Sequence, residues 1–145
     1  MCGIVGYIAR KQGPNSLKLG IEALKRLEYR GYDSAGFAFW DESKKDIFCE
    51  KAVGHIAALE EKANGAISAV ALSANPLILH TRWATHGGVT ESNAHPHFDC
   101  KHNIYLVHNG IVENYKELKE MLQKEGHQFN SETDTEVISH LVEKF

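Results

Sequence analysis

The sequence lacks any apolar run near the ~20 residues that a membrane span needs, and no basic-then-apolar leader precedes Gly3. It also lacks an excess of basic charge. Its 16 Lys and Arg against 19 Asp and Glu leave a net charge of −3, which gives no field to draw in nucleic acid or an anionic membrane. Cysteine is scarce: Cys2, Cys49 and Cys100 are odd in number and far apart, which excludes a disulfide framework. No Cys-x-x-Cys pair suggests a zinc ribbon, and there are no repeats, linkers or low-complexity tracts. These absences lead to the expectation of a cytoplasmic protein without nucleic-acid or membrane partners. What is present, 43% hydrophobic and 24% charged residues in 145, suits one ordinary globular domain. Histidine is the exception. There are nine, most of them between His80 and His108, and that enrichment points to a polar site in the interval.

Cys2 follows the initiator methionine and precedes the apolar run Gly3 to Ala9, which reads as a buried strand before the Lys11-Gln12-Gly13-Pro14 turn. Clipping of Met1 gives one residue both a thiol and a free amine. Their ordinary pKa values, about 8.5 and about 7.8, are close enough for the amine to act as base toward the thiol. A nucleophile activated in this way is a known catalytic arrangement. Asn15 or Ser16 caps a helix striped by Leu17, Ile21, Leu24 and Leu27, with Gly31 as its left-handed stop. Strands are expected over 35–40 and 47–53 about an exposed turn at 41–45, a short helix over 55–63, and a strand over 77–83. The stretch 66–72 is unassigned. Another strand covers 103–108. Asn114 and Glu117 form a capping-box pattern for a helix with Tyr115, Leu118, Met121 and Leu122 on its core side, closed by Gly126. A last helix from about Asp134 carries Val137, Ile138, Leu141, Val142 and Phe145. Strand pairs joined by short turns imply antiparallel pairing, so the class is α+β, sheets flanked by helices.

Polar residues gather where these strands end. His80 to Gly87 sets Arg82, Trp83, Thr85 and two histidines at one junction, and the Arg offers a planar donor fork for a carboxylate. Asn109 and the Gly110 N–H supply two donors at one point, the equipment to hold an oxyanion, although Asn-Gly is more often only a turn. Asp134, in Ser131 to Glu136, is either an ordinary acidic helix start or a partner for an ammonium group. Arg82 and Asp134 together would hold an α-amino acid. His95-Pro96-His97 lacks helical ligand spacing and an accompanying carboxylate, so metal binding there is disfavoured.

Six stretches carry a resemblance to a known family. They are Cys2 to Gly6, Leu27 to Gly36, His80 to Gly87, Ala94 to His97, Val107 to Gly110 and Ser131 to Glu136. In this order they resemble the glutaminase domain of the glutamine–fructose-6-phosphate aminotransferases, a branch of the class II glutamine amidotransferases. The resemblance implies the N-terminal nucleophile hydrolase fold, a layered sandwich of antiparallel sheets with helices outside. It implies Cys2 as nucleophile, with Asn109 and Gly110 as the oxyanion hole. It further implies that Arg82, Thr85, His86 and Asp134 hold glutamine, with Trp83 beside them and Arg30 ordering the residues around the cysteine. Neither metal nor organic cofactor is implied, and the ammonia would serve fructose 6-phosphate through domains missing from this chain. The stretch Ile67 to Leu79 departs from the family pattern. Residues 2–145 are expected to be the N-terminal part of a longer, homo-oligomeric enzyme, because the last apolar stripe runs open to Phe145. Two rivals remain: a non-catalytic glutamine-binding module, and a zinc site built from His80, His86, His95 and His97. Cys49 and Cys100 lie outside the motifs and are expected to tolerate alanine.

Overall fold

The computed structural model describes residues 1–10, 15–66, 74–85 and 87–145. The turn expected at 11–14, most of the unassigned stretch 66–72, and His86 lie outside the described residues. Its elements in chain order are β1 (Gly3–Tyr7), α1 (Ser16–Lys25), β2 (Ser34–Asp41), β3 (Asp46–Val53), α2 (Ile56–Ala66), β4 (Leu77–Arg82), β5 (His97–Phe98), β6 (Tyr105–Leu106), α3 (Tyr115–Lys124) and α4 (Glu136–Lys144). A four-stranded antiparallel sheet has the order β1-β4-β2-β3, and β5 pairs antiparallel with β6. This is the α+β arrangement of antiparallel sheets and helices that was expected.

Alternation along the strands divides the large sheet into two unlike faces. Ala35, Phe37 and Phe39 of β2 and Leu77 and Leu79 of β4 pack with Leu17, Ile21 and Leu24 of α1 and Ile56, Leu59 and Ala63 of α2. Phe37 stacks on Phe39 at 6.0 Å between ring centroids. Burying each of these larger side chains contributes about 1.5–3 kcal/mol. The intervening residues Gly36, His80 and Arg82 point the other way, and Gly36 pairs with His80 in register. Here the chain 94–97 crosses so closely that a Cβ on Gly36 would lie 2.1 Å from the His95 carbonyl oxygen. Gly36 is needed for that approach and not for its backbone angles.

Several local expectations change on folding. Gly31 is extended, φ −178, and does not end α1, whose C-cap is Arg26. Its value is again closeness, since a Cβ there would sit 2.6 Å from the Arg82 carbonyl carbon. Asn15 adopts φ 65, and neither it nor Asn114 makes a side-chain cap hydrogen bond. In α3 only Leu122 is buried. In α4 the buried face is Glu136, Val137, Ser139 and His140, while Val142 and Phe145 are exposed. That helix packs on a polar interior, so of its apolar stripe only Val137 is fully buried. Strand β5 was not expected at all; two residues bounded by proline carry too little periodicity to read. Gly126 takes φ +98 just past α3, as a left-handed stop does. Within the departing stretch, Asn75 clips the end of β1 by donating to the Ala9 carbonyl (2.8 Å) and accepting from its N–H (3.0 Å).

Candidate active site

One step of the strand alternation before Gly3 places Cys2 on the sheet face that carries His80 and Arg82. The Trp83 N–H donates to the Cys2 sulfur at 3.3 Å. Arg30 Nε donates to the Cys2 carbonyl at 3.3 Å, and Asn109 Nδ2 donates to that same oxygen at 3.1 Å. His80 Nε2 lies 2.9 Å from Asn109 Oδ1. If that nitrogen carries the proton, it holds the Asn oxygen away from the cysteine and turns the amide donors toward it. In that tautomer His80 orients Asn109, a contact that its place in the motif does not announce.

Arg82 is 4% exposed, and its Nη1 donates to the Gly88 carbonyl at 3.1 Å. Burial works against its charge, which the Cys2 sulfur and the carboxylates of Asp33 and Asp134 favour. Asp134 is also buried, and its Oδ2 accepts the Val112 N–H at 2.7 Å. Asp134 precedes α4 and does not serve as its cap, because Thr135 occupies that position. Asp33, unremarked in the motif beyond its turn, accepts the Ala84 N–H at 2.8 Å and so anchors the start of the loop after β4.

Cys2, Arg82, Trp83, Thr85, Gly110 and Asp134 line one pocket together with His95, His108, Thr133 and Thr135. Its volume is about 30 Å³, room for little more than water, so an amino acid would have to displace part of the wall. Trp83 is exposed, and its ring meets that of Tyr32 edge-on at 5.5 Å. The structure therefore brings together Cys2, Arg30, Arg82, Trp83, Thr85, Asn109, Gly110 and Asp134. His86 lies outside the described residues.

A polar network sets the walls. Ser131 Oγ bonds both Thr133 Oγ1 (2.9 Å) and the Glu136 carboxylate (2.5 Å), which also accepts the N–H groups of Asn130 and Ser131 at 2.7 Å. Thr133 Oγ1 lies 3.0 Å from His97 Nε2. His80 stacks on His95 at 4.0 Å, and His95 meets His97 edge-on at 4.5 Å. Burial pushes all three histidines down, His80 to about 4, His97 to about 3 and His95 well below its ordinary value. They are neutral packing groups at pH 7. His80 and His97 direct Nε2 at Asn109 and Thr133, and His86, the fourth ligand of the zinc site drawn from this stretch, lies outside the described residues.

A family described as "Glutamine amidotransferase domain" matches residues 80–145. The glutamine–fructose-6-phosphate aminotransferases (isomerizing) of Pyrococcus horikoshii and Aquifex aeolicus are each 53% identical over 144 residues, and that of Sulfolobus acidocaldarius is 48% identical over 145. These alignments cover 99–100% of this chain but only 23–24% of the relatives, so the chain spans about a quarter of their length. Among solved structures, one titled as the allosteric regulatory enzyme of purine biosynthesis superposes with a TM-score of 0.75 at 30% identity, covering 99% of this chain and 29% of its own. The glutamine phosphoribosylpyrophosphate amidotransferase of B. subtilis, at TM-score 0.70 and 24% identity, shares the fold over 99% of this chain and 29% of its own. Among the described residues no helix is long and apolar enough to cross a membrane.

Proposed function

The chain resembles the glutaminase domain of the glutamine–fructose-6-phosphate aminotransferases, and on that premise we propose that it hydrolyses glutamine to glutamate and ammonia with Cys2 as nucleophile. The observation that carries the reading is the meeting of Asn109 with Cys2, 107 positions apart in sequence and joined at 3.1 Å. Loss of Met1 frees the Cys2 amine, which takes the thiol proton, and the sulfur attacks the side-chain carboxamide carbon of glutamine. The carbonyl oxygen gains negative charge, which the Asn109 amide and the Gly110 N–H stabilise. Collapse of the tetrahedral adduct breaks the C–N bond. The amine returns its proton to the leaving nitrogen, and ammonia departs from a γ-glutamyl thioester. Water then attacks the thioester, giving glutamate and restoring the thiol. Arg82 takes the α-carboxylate and Asp134 the α-ammonium, with Thr85, His86 and Trp83 around them. Arg30 steadies the Cys2 backbone.

In the longer polypeptide that the relatives represent, the ammonia would pass to fructose 6-phosphate. That partner, a homo-oligomeric assembly and a cytoplasmic setting belong to this proposal.

The test is a glutaminase assay on the chain, with intact mass to report Met1 removal. Protein lacking Met1 should turn over glutamine, and Cys2→Ser should lose nearly all hydrolysis while still binding it. Substantial turnover by protein that retains Met1 would overturn the amine as base. Binding without turnover by the wild type would favour the non-catalytic module.

A further inference from the structure

We propose that Cys100, His127, His140 and Glu143 form a zinc site that ties the β5–β6 turn to α4 and to the segment between α3 and α4. The ligand atoms of these four residues all lie within 4.8 Å of one another. The two imidazoles face each other through Nδ1, 3.3 Å apart. Cys100 Sγ is 3.7 Å from His127 Nδ1 and 3.5 Å from His140 Nδ1. Glu143 Oε2 is 2.9 Å from the first of those nitrogens and 3.3 Å from the second.

These separations match the edges of a coordination tetrahedron. Zinc bonds of about 2.0–2.1 Å to nitrogen, about 2.1 Å to oxygen and about 2.3 Å to sulfur place nitrogen about 3.4 Å from nitrogen or oxygen and about 3.6 Å from sulfur. Of the tetrahedron's six edges, four fall within about 0.2 Å of those lengths, the His127–Glu143 edge is shorter, and the Cys100–Glu143 edge is within 4.8 Å. Glu143 Oε2 also accepts the Cys100 N–H at 3.3 Å, and beside it lie the thiol and both ring nitrogens, the two Nδ1 atoms only 3.3 Å apart.

The donor set also selects the ion. One thiolate, two imidazoles and one carboxylate suit zinc in a closed, four-ligand structural site and not calcium or magnesium, which take oxygen ligands. The outer contacts fit as well. Ligation through Nδ1 leaves the His140 proton on Nε2, which has no hydrogen-bond partner among the described residues and lies 3.6 Å from the buried Glu136 carboxylate, a small movement short of the carboxylate contact a metal-bound histidine makes. The Gln128 N–H points at the Cys100 sulfur from 3.4 Å, as it would toward a thiolate. Binding releases the Cys100 thiol proton to solvent. The four residues are apart from the pocket around Cys2, so the site serves the fold and not the glutamine chemistry. It also gives Cys100 a purpose that its isolation in the sequence conceals.

The test is cobalt(II) titration of the metal-stripped full chain, followed by zinc. We expect an intense visible spectrum of tetrahedral cobalt with a sulfur-to-cobalt charge-transfer band, complete at about one ion per chain and displaced by zinc. Cys2→Ser should keep that spectrum. Cys100→Ser should lose the charge-transfer band and weaken cobalt binding by more than the about 10–100-fold that outer-shell changes cause. Zinc should raise the melting temperature of the wild type but not of Cys100→Ser. Absence of a tetrahedral spectrum in the wild type, or a charge-transfer band that survives Cys100→Ser, would overturn the proposal. The first outcome rests on unmodified protein, so a variant that fails to fold cannot obscure it.

Discussion

The chain up to Arg82 and the chain from Asn93 onward bury different chemistry. Every member of the main apolar cluster lies between Leu17 and Leu79. Beyond it the buried apolar side chains are Ala94, Leu122 and Val137, while Asn93, His95, His97, Asp99, Ser131, Thr133, Asp134, Thr135, Glu136, Ser139 and His140 are also buried. The first region gains from non-directional burial that tolerates small misplacements. The second depends on directional hydrogen bonds, since an unpaired buried polar group costs about 1–3 kcal/mol. The proposed active site lies on the seam, with Cys2 and Arg82 from one side and Asn109 and Asp134 from the other. On the proposed reading, the end of a sheet presents the nucleophile and a polar framework presents the donors.

Acid should expose this contrast most strongly. His80, His95 and His97 are held neutral by burial, and the cations Lys51 and Arg82 further oppose protonation of His97. Below the unfolded value of about 6.5, the unfolded chain takes up protons that the folded chain refuses. Stability should therefore fall as pH drops from 6.5, down to about 4 for His80 and about 3 for His97. Thermal melts between pH 7.5 and 5.5 sample the start of this fall above most carboxylate titration, and a flat melting temperature there would refute it.

Truncating the apolar side comes next. Phe37→Ala, at a fully buried ring, should cost about 3–5 kcal/mol in urea denaturation. Both regions should unfold in one transition, because the second rests on the sheet face opposite Phe37. Two separated transitions would break the picture of a shared seam.

At the seam, Asn109→Ala should lower kcat by about 10²–10³-fold, and an effect on KM alone would remove Asn109 from the oxyanion hole. Arg82→Gln and Asp134→Asn should each cost about 1.5–3 kcal/mol in kcat/KM, mostly through KM. A pure loss of kcat would show that they act on the bond being broken. The mildest change is Cys49→Ala on β3, which touches neither the site nor the polar framework. It should alter stability by less than about 1 kcal/mol and leave turnover intact, measured by parallel melts and assays.

How much of this was legible depended on the kind of signal. Strands β2, β3 and β4 and helix α1 could be placed within a few residues, because one face of each enters an apolar core and writes a period into the sequence. Site residues were legible as strand-end clusters and through resemblance. Helix α4 misled because beside Val137 its buried face is Glu136, Ser139 and His140, residues that hydrophobic periodicity counts as surface. His80 could be marked as part of a polar cluster but not as the group that orients Asn109. The group of Cys100, His127, His140 and Glu143 left no trace, since its spacing matches no common zinc pattern.

The sequence by itself determined the apolar half of the fold, the strand ends where polar chemistry gathers, and residue types suited to a thiol nucleophile, an oxyanion and an α-amino acid. Those are local properties, fixed by periodicity and by what each side chain can donate or accept. Only the tertiary structure decided which polar groups meet: Asn109 with Cys2, His80 behind Asn109, and Cys100 with two histidines and a glutamate. Hydrogen bonds and coordination act over about 3 Å and depend on direction, so a separation of 27 or 107 positions along the chain says nothing about them until the backbone has folded.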